Sequence, residues 1–157
     1  MDVKPSEPSW LRTQRPVRSR QFIAAFPLRN AVVEGHSGVL IRVRLTSYRS
    51  LPLSCIESIQ VSVDGVAADP GTMRLVLNGR THRLHELAKL NDVWWFILDY
   101  ADLFVPLRVP LGGGGHEVKG DLVTVEPYMT AGRFSFHHAA QARLQLTPGS
   151  GEAASDY

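Results

Sequence analysis

The sequence contains few cysteines, few aromatic residues and no long apolar segment. Its single cysteine, Cys55, excludes a disulfide within the chain, and this fits a reducing compartment. Aromatic residues make up only 8% of the chain. No segment reaches the roughly 20 apolar residues that a bilayer-spanning helix needs. Because residues 1–20 contain no apolar stretch of the signal-peptide kind, we expect a cytoplasmic protein without a membrane partner.

The chain also carries little net charge. The net charge of the 157 residues is +2, and the cations are concentrated at the start of the chain. Residues 1–20 hold five Lys and Arg against two Asp and Glu, which leaves the rest of the chain close to neutral. A nearly neutral domain offers no basic groove, so we expect no nucleic-acid partner.

The sequence also lacks a recognisable phosphate-binding, nucleophile or metal-ligand motif. The glycine run in LGGGGHEV leads into a strand-like segment, whereas a phosphate loop leads into a helix, so a wide turn is predicted. Cys55 is interpreted as a small core residue, since no base or electropositive neighbour marks it as a nucleophile. The histidines follow no metal-ligand spacing; they are His36, His82, His85, His116, His137 and His138. We therefore predict no catalytic residue, no metal site and no cofactor in this chain.

What the sequence does contain is apolar–polar alternation. The segments GVLIRVRLT, SIQVSVDG and MRLVLNGRTHRL place an apolar residue at every second position, the period of a half-buried strand. Asn78-Gly79 and Asp64-Gly65 are residue pairs typical of tight hairpin turns. HEVKGDLVTVEPYM starts with the same alternation and changes phase near Gly120, which predicts a bulge. ARLQL predicts a last short strand. Together these signals predict an all-β fold, an antiparallel β-sandwich.

Three parts of the chain depart from this pattern. LHELAKL, residues 84–90, predicts one short helix. VWWFILDYADLFV, residues 93–105, is long enough for a helix, but its aromatic and β-branched residues favour a strand covered on both faces. The two ends have too little apolar surface to order themselves. We expect a flexible N-terminal arm at 1–19, a β-sandwich domain at 20–147 and a disordered C-terminal tail at 148–157.

Two places in the sequence are candidates for contact with another molecule. The turn SYRSLPLS brings Tyr48, Arg49 and Pro52 into one corner, where the proline ring fixes the backbone. Trp94 and Trp95 are adjacent, so on a strand they point to opposite faces. One ring can then fill the core while the other needs a second surface, although a strand with both rings buried is the alternative. The corner has its own simpler interpretation, which is a sharp connection between strands.

Five motifs in order give the chain a family resemblance. They are YRSLPLSCIESIQVSVDG, LVLNGRTHRLHEL, WWF, GGGGHEV and VEPYM. Together they resemble the small β subunit of the bacterial C-glycoside deglycosidases, from about Asn30 to Tyr128. The family typically has Gly-Ile where this chain has Ser50-Leu51, and the glycine segment here is compressed.

The resemblance implies a carbon–carbon lyase made of two kinds of subunit. The partner would be an isomerase-like (β/α)₈ barrel, the α subunit, holding a divalent metal that the resemblance identifies as manganese. The substrate would be a C-glycoside in which a 3-oxo sugar is joined to an aromatic, flavonoid-like aglycone. The isolated small subunit would be inactive, and its contact or pocket-wall residues would be Tyr48, Arg49, Pro52, Trp94 and Trp95. Two alternatives remain. The chain is a free-standing carbohydrate-binding sandwich with Trp94 or Trp95 as a stacking platform, or it is an accessory structural protein with no reaction near it.

Overall fold

The computed structural model describes residues 21–47, 49–126 and 135–146, which form eleven strands and two short 3₁₀ helices. The strands are β1 (Arg29–Val33), β2 (His36–Arg44), β3 (Leu51–Pro52), β4 (Ile56–Val63), β5 (Val66–Ala67), β6 (Arg74–Leu77), β7 (Arg80–Arg83), β8 (Trp94–Trp95), β9 (Tyr100–Pro106), β10 (Gly114–Val125) and β11 (Ser135–Leu146). The helices are Leu53–Cys55 and Leu84–Lys89.

The strands form two main antiparallel sheets and one small one. The first sheet has the order β1-β2-β9-β6-β7, and the second has the order β11-β10-β4-β5. Strands β3 and β8 form a separate two-stranded sheet. One core cluster takes side chains from both main sheets, such as Ile41 and Leu103 from the first and Val61 and Leu122 from the second. The predicted all-β sandwich is thus confirmed.

Alternation along the strands fills this core. Val39, Ile41, Val43 and Leu45 of the β2 segment are each 0% exposed, while Arg42 and its neighbour Arg44 lie on the opposite face. The same holds for β4, whose inward residues are Ile59, Val61 and Val63. Met73, which precedes β6, and Leu75 and Leu77 of β6 face the same core, although Val76 on the other face is also buried. Period two in the sequence therefore corresponds to a two-layer core in the fold.

The hairpin turns follow from residues that tolerate positive φ. Asn78 and Gly79 have φ of 52° and 78°, and Asp64 and Gly65 have φ of 50° and 81°. Both turns were predicted from these residue types, and both join antiparallel neighbours. A third turn of the same kind, Glu34-Gly35 between β1 and β2, was not predicted because glutamate is an unusual residue at positive φ.

The prediction of one strand over residues 93–105 was wrong. The segment divides into β8 and β9, separated by a turn in which the Asp99 amide donates to the Phe96 carbonyl at 2.9 Å. The indole Nε1 of Trp95 donates to the Asp99 carbonyl at 3.0 Å. The Ile97 amide donates to Ser50 Oγ at 2.8 Å. These bonds hold the chain out of the extended path that its residue types favour.

A phase change near Gly120 was also predicted, and β10 does contain an irregularity of this kind, three residues further on at Val123/Thr124 in its pairing with β4 and not at the glycine itself. The register of β10 against β11 is continuous from Gly114 to Val125, and Gly120 points into the core, where an added Cβ would lie 3.3 Å from Phe22. The glycine is needed there for the space it leaves, and no change of direction is involved.

The remaining helix and strand occur where the sequence predicted them, but the type of the helix and the length of the strand differ. The helix expected at residues 84–90 is a 3₁₀ helix, and β11 has 12 residues where a five-residue strand was expected. Residues 1–20 and 147–157 lie outside the described residues, so the two predicted tails are untested. In the described part of the chain, no helix is both long and apolar enough to cross a membrane.

Candidate partner-binding site

The SYRSLPLS corner and the tryptophan pair lie side by side in the fold. Strand β3 pairs with β8, so that Leu51 is opposite Trp95 and Pro52 is opposite Trp94. The Leu53 amide donates to the Val93 carbonyl at 2.8 Å and continues the contact. Residues of both segments were named separately from the sequence; the structure brings them together across more than forty positions of the chain.

The two tryptophans have opposite environments, as predicted for adjacent residues of a strand. Trp95 is 0% exposed and belongs to the main core. Trp94 keeps 45% of its surface exposed. The alternative in which both rings are buried is therefore wrong for this chain, and the Trp94 ring is available to a second molecule.

A crevice of about 480 Å³ lies beside the Trp94 ring and is lined by Arg49, Ser50, Trp94 and Phe96. Arg49 is exposed and Pro52 is partly buried. Tyr48 lies outside the described residues. The crevice therefore combines two exposed aromatic rings with a guanidinium group, which is the side-chain chemistry of interface anchors.

Exposed apolar side chains extend from this crevice along the chain. From Trp94 to Tyr100, every second residue is a large apolar side chain that stays exposed, including Phe96 at 54% and Leu98 at 81%. Of these four residues, only Trp94 was selected from the sequence, although the alternation in WWFILDY could have indicated the other three. We call the exposed side chains of Trp94, Phe96, Leu98 and Tyr100 the aromatic strip.

Two arginine side chains lie close to Tyr100, at the C-terminal end of the aromatic strip. The Tyr100 ring meets the Phe26 ring edge to face at a centroid distance of 5.1 Å. The Arg42 guanidinium lies 5.3 Å from the Phe26 centroid and 5.8 Å from that of Tyr100, and the Arg44 guanidinium lies 6.0 Å from Tyr100. Cations above aromatic faces are stabilised by the ring quadrupole. This end of the strip therefore favours contact with acidic or aromatic groups.

Arg42 is held in place by a buried carboxylate. Asp102 is 6% exposed, and its Oδ1 lies 2.6 Å from an Arg29 nitrogen and 3.2 Å from Arg42 Nε. A buried carboxylate needs such partners, because leaving it unpaired in the protein interior is costly. The acid thus holds Arg42 in place beneath the rings.

The other candidates from the sequence lie apart from this surface. Cys55 is buried at the end of the first 3₁₀ helix, as expected of a small core residue. His137 and His138 point to opposite faces of β11, since His137 contacts Asp121 and His138 contacts Thr124.

Burial lowers the pKa of His82 and of His138. Within residues 21–47, 49–126 and 135–146, no three His, Cys, Asp or Glu side chains are grouped as metal ligands would be.

His116 forms a bridge that the sequence did not reveal. Its Nδ1 lies 2.7 Å from Asp64 Oδ2, and its Nε2 lies 2.6 Å from the Gly112 carbonyl. Both partners are acceptors, so the doubly protonated imidazolium satisfies both contacts. The hydrogen bond to Asp64, followed by that to Gly112, raises the pKa of His116, against smaller opposing effects of burial and of the Arg143 charge. The glycine run is thus a wide turn into a strand, as predicted, and His116 ties it to the β4–β5 turn.

Fold and surface together define a β-sandwich protein with a row of exposed large apolar side chains beside an arginine-lined crevice. Comparison with known proteins gives the family. The family model of the C-glycoside deglycosidase beta subunit matches residues 19–128. The chain belongs to this family.

Named relatives agree with the family model. The chain is 40% identical over 121 residues to the 3'-dehydrocarminate deglycosidase beta subunit of a Microbacterium species, covering 76% of this chain and 91% of the relative. It is 43% identical over 89 residues to a C-glycoside deglycosidase beta subunit of Arthrobacter globiformis, covering 57% and 68%. A third relative, from Microbacterium trichothecenolyticum, has the same name and is 36% identical over 89 residues, covering 57% and 67%.

Proposed function

We propose that this chain is the β subunit of a C-glycoside deglycosidase made of two kinds of chain, and that it works only in complex with an α subunit. The observation that carries the proposal is the family match over residues 19–128, supported by a relative that aligns over 91% of its own length. Proteins called β subunits assemble with a second kind of chain. The exposed aromatic strip beside the Arg49 crevice is a surface suited to such a partner.

The proposed substrate is a C-glycoside whose sugar has been oxidised to a ketone at C3. The Microbacterium relative is named for a 3'-dehydro compound, which is in line with this oxidation state. A ketone at C3 makes the hydrogen on C2 acidic. A base that removes this proton leaves an electron pair that forms the C1–C2 double bond as the bond from C1 to the aryl carbon breaks. That aryl carbon takes up a proton, and the products are an unsaturated keto sugar and the free aglycone.

We assign the chemistry of this elimination to the partner. The described residues of this chain do not fit a metal site, since they contain no group of three or more suitable ligands. By the resemblance given above, the partner is an isomerase-like (β/α)₈ barrel with a divalent metal, manganese, which would polarise the ketone when bound. The contribution of this chain is to bind beside the mouth of the barrel, where it excludes water and helps to hold the flat aglycone.

Within the docking surface, Arg49 is proposed as an interface anchor. Its planar guanidinium can form paired hydrogen bonds with a carboxylate of the partner, and arginine is enriched among the residues that dominate binding. Pro52 stiffens the backbone behind it, opposite Trp94. Tyr48 is proposed as a wall of the substrate pocket, so that its loss would affect turnover or KM while the complex stays intact.

A second candidate function also fits one observation. Trp94 is 45% exposed beside an open crevice, and a tryptophan in such a position can serve as a stacking platform for a sugar ring. In this alternative the chain is a free-standing carbohydrate-binding sandwich. It predicts that the isolated chain binds simple sugars and gains nothing from an α subunit.

Co-purification separates the two functions. The chain is expressed with and without the α subunit, and each product is analysed by gel filtration and tested for aglycone release from a 3-oxo C-glycoside. The proposal expects one stable hetero-oligomer with activity and an inactive isolated chain. Turnover by the isolated chain, or no complex with the α subunit, would contradict it, and sugar binding by the isolated chain would favour the alternative.

A further inference from the structure

A large cleft lined by described residues is at one end of the sandwich, in a region that the proposed function does not use. It is a cleft of about 790 Å³ between the β4–β5 turn and the segment that follows β9. Clefts that take small molecules measure roughly 300–1,000 Å³. This cleft therefore has the size of a small-molecule site and not merely that of a packing defect.

The cleft reaches the main core. Val63 and Val105 lie at its base and are 4% and 2% exposed, and Leu111 packs against the same core. At the entrance, Val66 and Val109 are 71% and 75% exposed. Apolar side chains thus line the cleft from base to entrance. This arrangement suits an apolar occupant, because such an occupant would cover side chains that now contact water.

The His116 bridge holds the wall of the cleft in place. Asp64, which lines the cleft, accepts hydrogen bonds from His116 Nδ1 and, at 2.9 Å, from the Glu117 amide. The other nitrogen of His116 donates to the Gly112 carbonyl, next to Leu111. The glycine-rich segment is therefore fastened to the β4–β5 turn, and the cleft is preformed. A preformed site avoids the ordering cost that weakens binding to a mobile one.

The polar groups of the cleft select the charge of an occupant. Of its two carboxylates, Asp64 forms an ion pair with the His116 imidazolium, whereas Asp69 accepts a hydrogen bond from the neutral Gly71 amide at 2.9 Å, which does not offset its charge. Arg108 also lines the cleft, is exposed, and makes no hydrogen bond or ion pair with another described residue. An unpaired guanidinium at the edge of an apolar cleft is suited to a carboxylate or sulfonate.

We propose that this cleft is a binding site for a largely apolar organic anion, with its apolar part between Val66 and Val109 and its acidic group on Arg108. The site is separate from the Arg49 crevice and goes beyond the proposed function, since it requires neither the α subunit nor the deglycosidase reaction.

The test uses the full chain and two fluorescent probes of nearly equal shape. Anilinonaphthalene sulfonate carries an anionic group, and N-phenylnaphthylamine has the same rings without it. We expect saturable binding of the sulfonate, weakened at least tenfold by Val109→Asp and about fivefold by Arg108→Gln. Val32→Asp and Arg80→Gln are the matched controls, because both positions are exposed and lie outside the cleft. The neutral probe should lose affinity in Val109→Asp and be unchanged in Arg108→Gln.

Probe binding at the aromatic strip must be distinguished from binding in the cleft. Methyl resonances of Val63, Val105 and Leu111 should shift on addition of the sulfonate, and Trp94→Ala should leave its affinity within twofold. The proposal is overturned if the shifts map to the aromatic strip, if binding is not saturable, or if the cleft variants bind the sulfonate as well as their controls do. Because the readout is probe binding by this chain alone, its failure would leave the proposed function untouched.

Discussion

Trp94 and Trp95 are adjacent residues of one type, so replacing each by alanine separates partner binding from folding. In the proposed complex the exposed part of the Trp94 ring is covered by the α subunit. Trp94→Ala should therefore weaken the complex while the isolated chain stays folded. The measurement is titration calorimetry of the two purified subunits, with the stability of the isolated chain followed by urea denaturation.

The size of the effect follows from the exposed area. A tryptophan has about 250 Å² of surface, and the 45% that is exposed in Trp94 leaves about 110 Å² for a partner to cover. At about 25 cal/mol per Å² this area contributes about 2–3 kcal/mol, or roughly 30- to 150-fold in Kd. The loss of stability in the isolated chain should be smaller, about 1 kcal/mol, the centre of the range for point substitutions.

Trp95→Ala is the matched control for folding. Trp95 is 0% exposed and its indole donates to the Asp99 carbonyl, so truncation leaves a cavity and an unpaired carbonyl. A loss of about 3–5 kcal/mol of unfolding free energy is expected, as for other buried aromatic residues. If Trp94→Ala binds the α subunit with the parent affinity, the aromatic strip is not the interface. If it destabilises the chain as much as Trp95→Ala does, the assignment of the two rings is wrong.

Three further changes test other parts of the molecule. Arg49→Ala should weaken assembly by about 2 kcal/mol or more, with activity restored at high concentrations of the α subunit; activity that stays low in an intact complex would contradict the anchor role. Gly120→Val should lower stability by about 1–3 kcal/mol through overpacking, because the added Cβ would lie 3.2–3.3 Å from core side chains, whereas Gly112→Ala faces open space and should change nothing in thermal denaturation. The hydrogen bond from His116 to Asp64 raises the pKa of His116, so its contribution to stability should be complete below about pH 6.5 and lost as the pH rises through the raised value. Urea denaturation between about pH 6 and pH 9 should show this loss in the parent and not in His116→Gln, and equal slopes would refute it.

The fold was predictable where local chemistry determines the conformation. Alternation predicted the inward faces of β2, β4 and β6, and Asn78-Gly79 predicted its hairpin from the φ values that such residues accept. The error at residues 93–105 has a different origin. There the conformation depends on a hydrogen bond between Ser50 and Ile97, which joins positions 47 residues apart. Gly120 is similar, because the space it leaves for Phe22 is a property of the packed core.

The candidate site was predictable in its parts and not in its assembly. The proline-containing turn and the tryptophan pair identified Arg49, Pro52 and Trp94 as candidates. The pairing of Pro52 with Trp94 across β3 and β8 is a tertiary contact, which the sequence does not show. The Arg42 contacts with Phe26 and Tyr100 likewise depend on the packing of distant segments. The sequence shows residue types and spacing, while a surface made of separate segments appears only once the chain has folded.

We propose that this chain is an essential subunit of a deglycosidase and that it binds its partner through the aromatic strip and the Arg49 crevice. The decisive measurement is the initial rate of aglycone release from a 3-oxo C-glycoside at a fixed, low concentration of the α subunit, as increasing amounts of this chain are added. We expect a rate that rises from near zero to saturation. With Trp94→Ala, the same plateau should be reached at roughly 30- to 150-fold higher concentration. A rate that does not depend on this chain, or parent and variant curves that coincide, would contradict the claim.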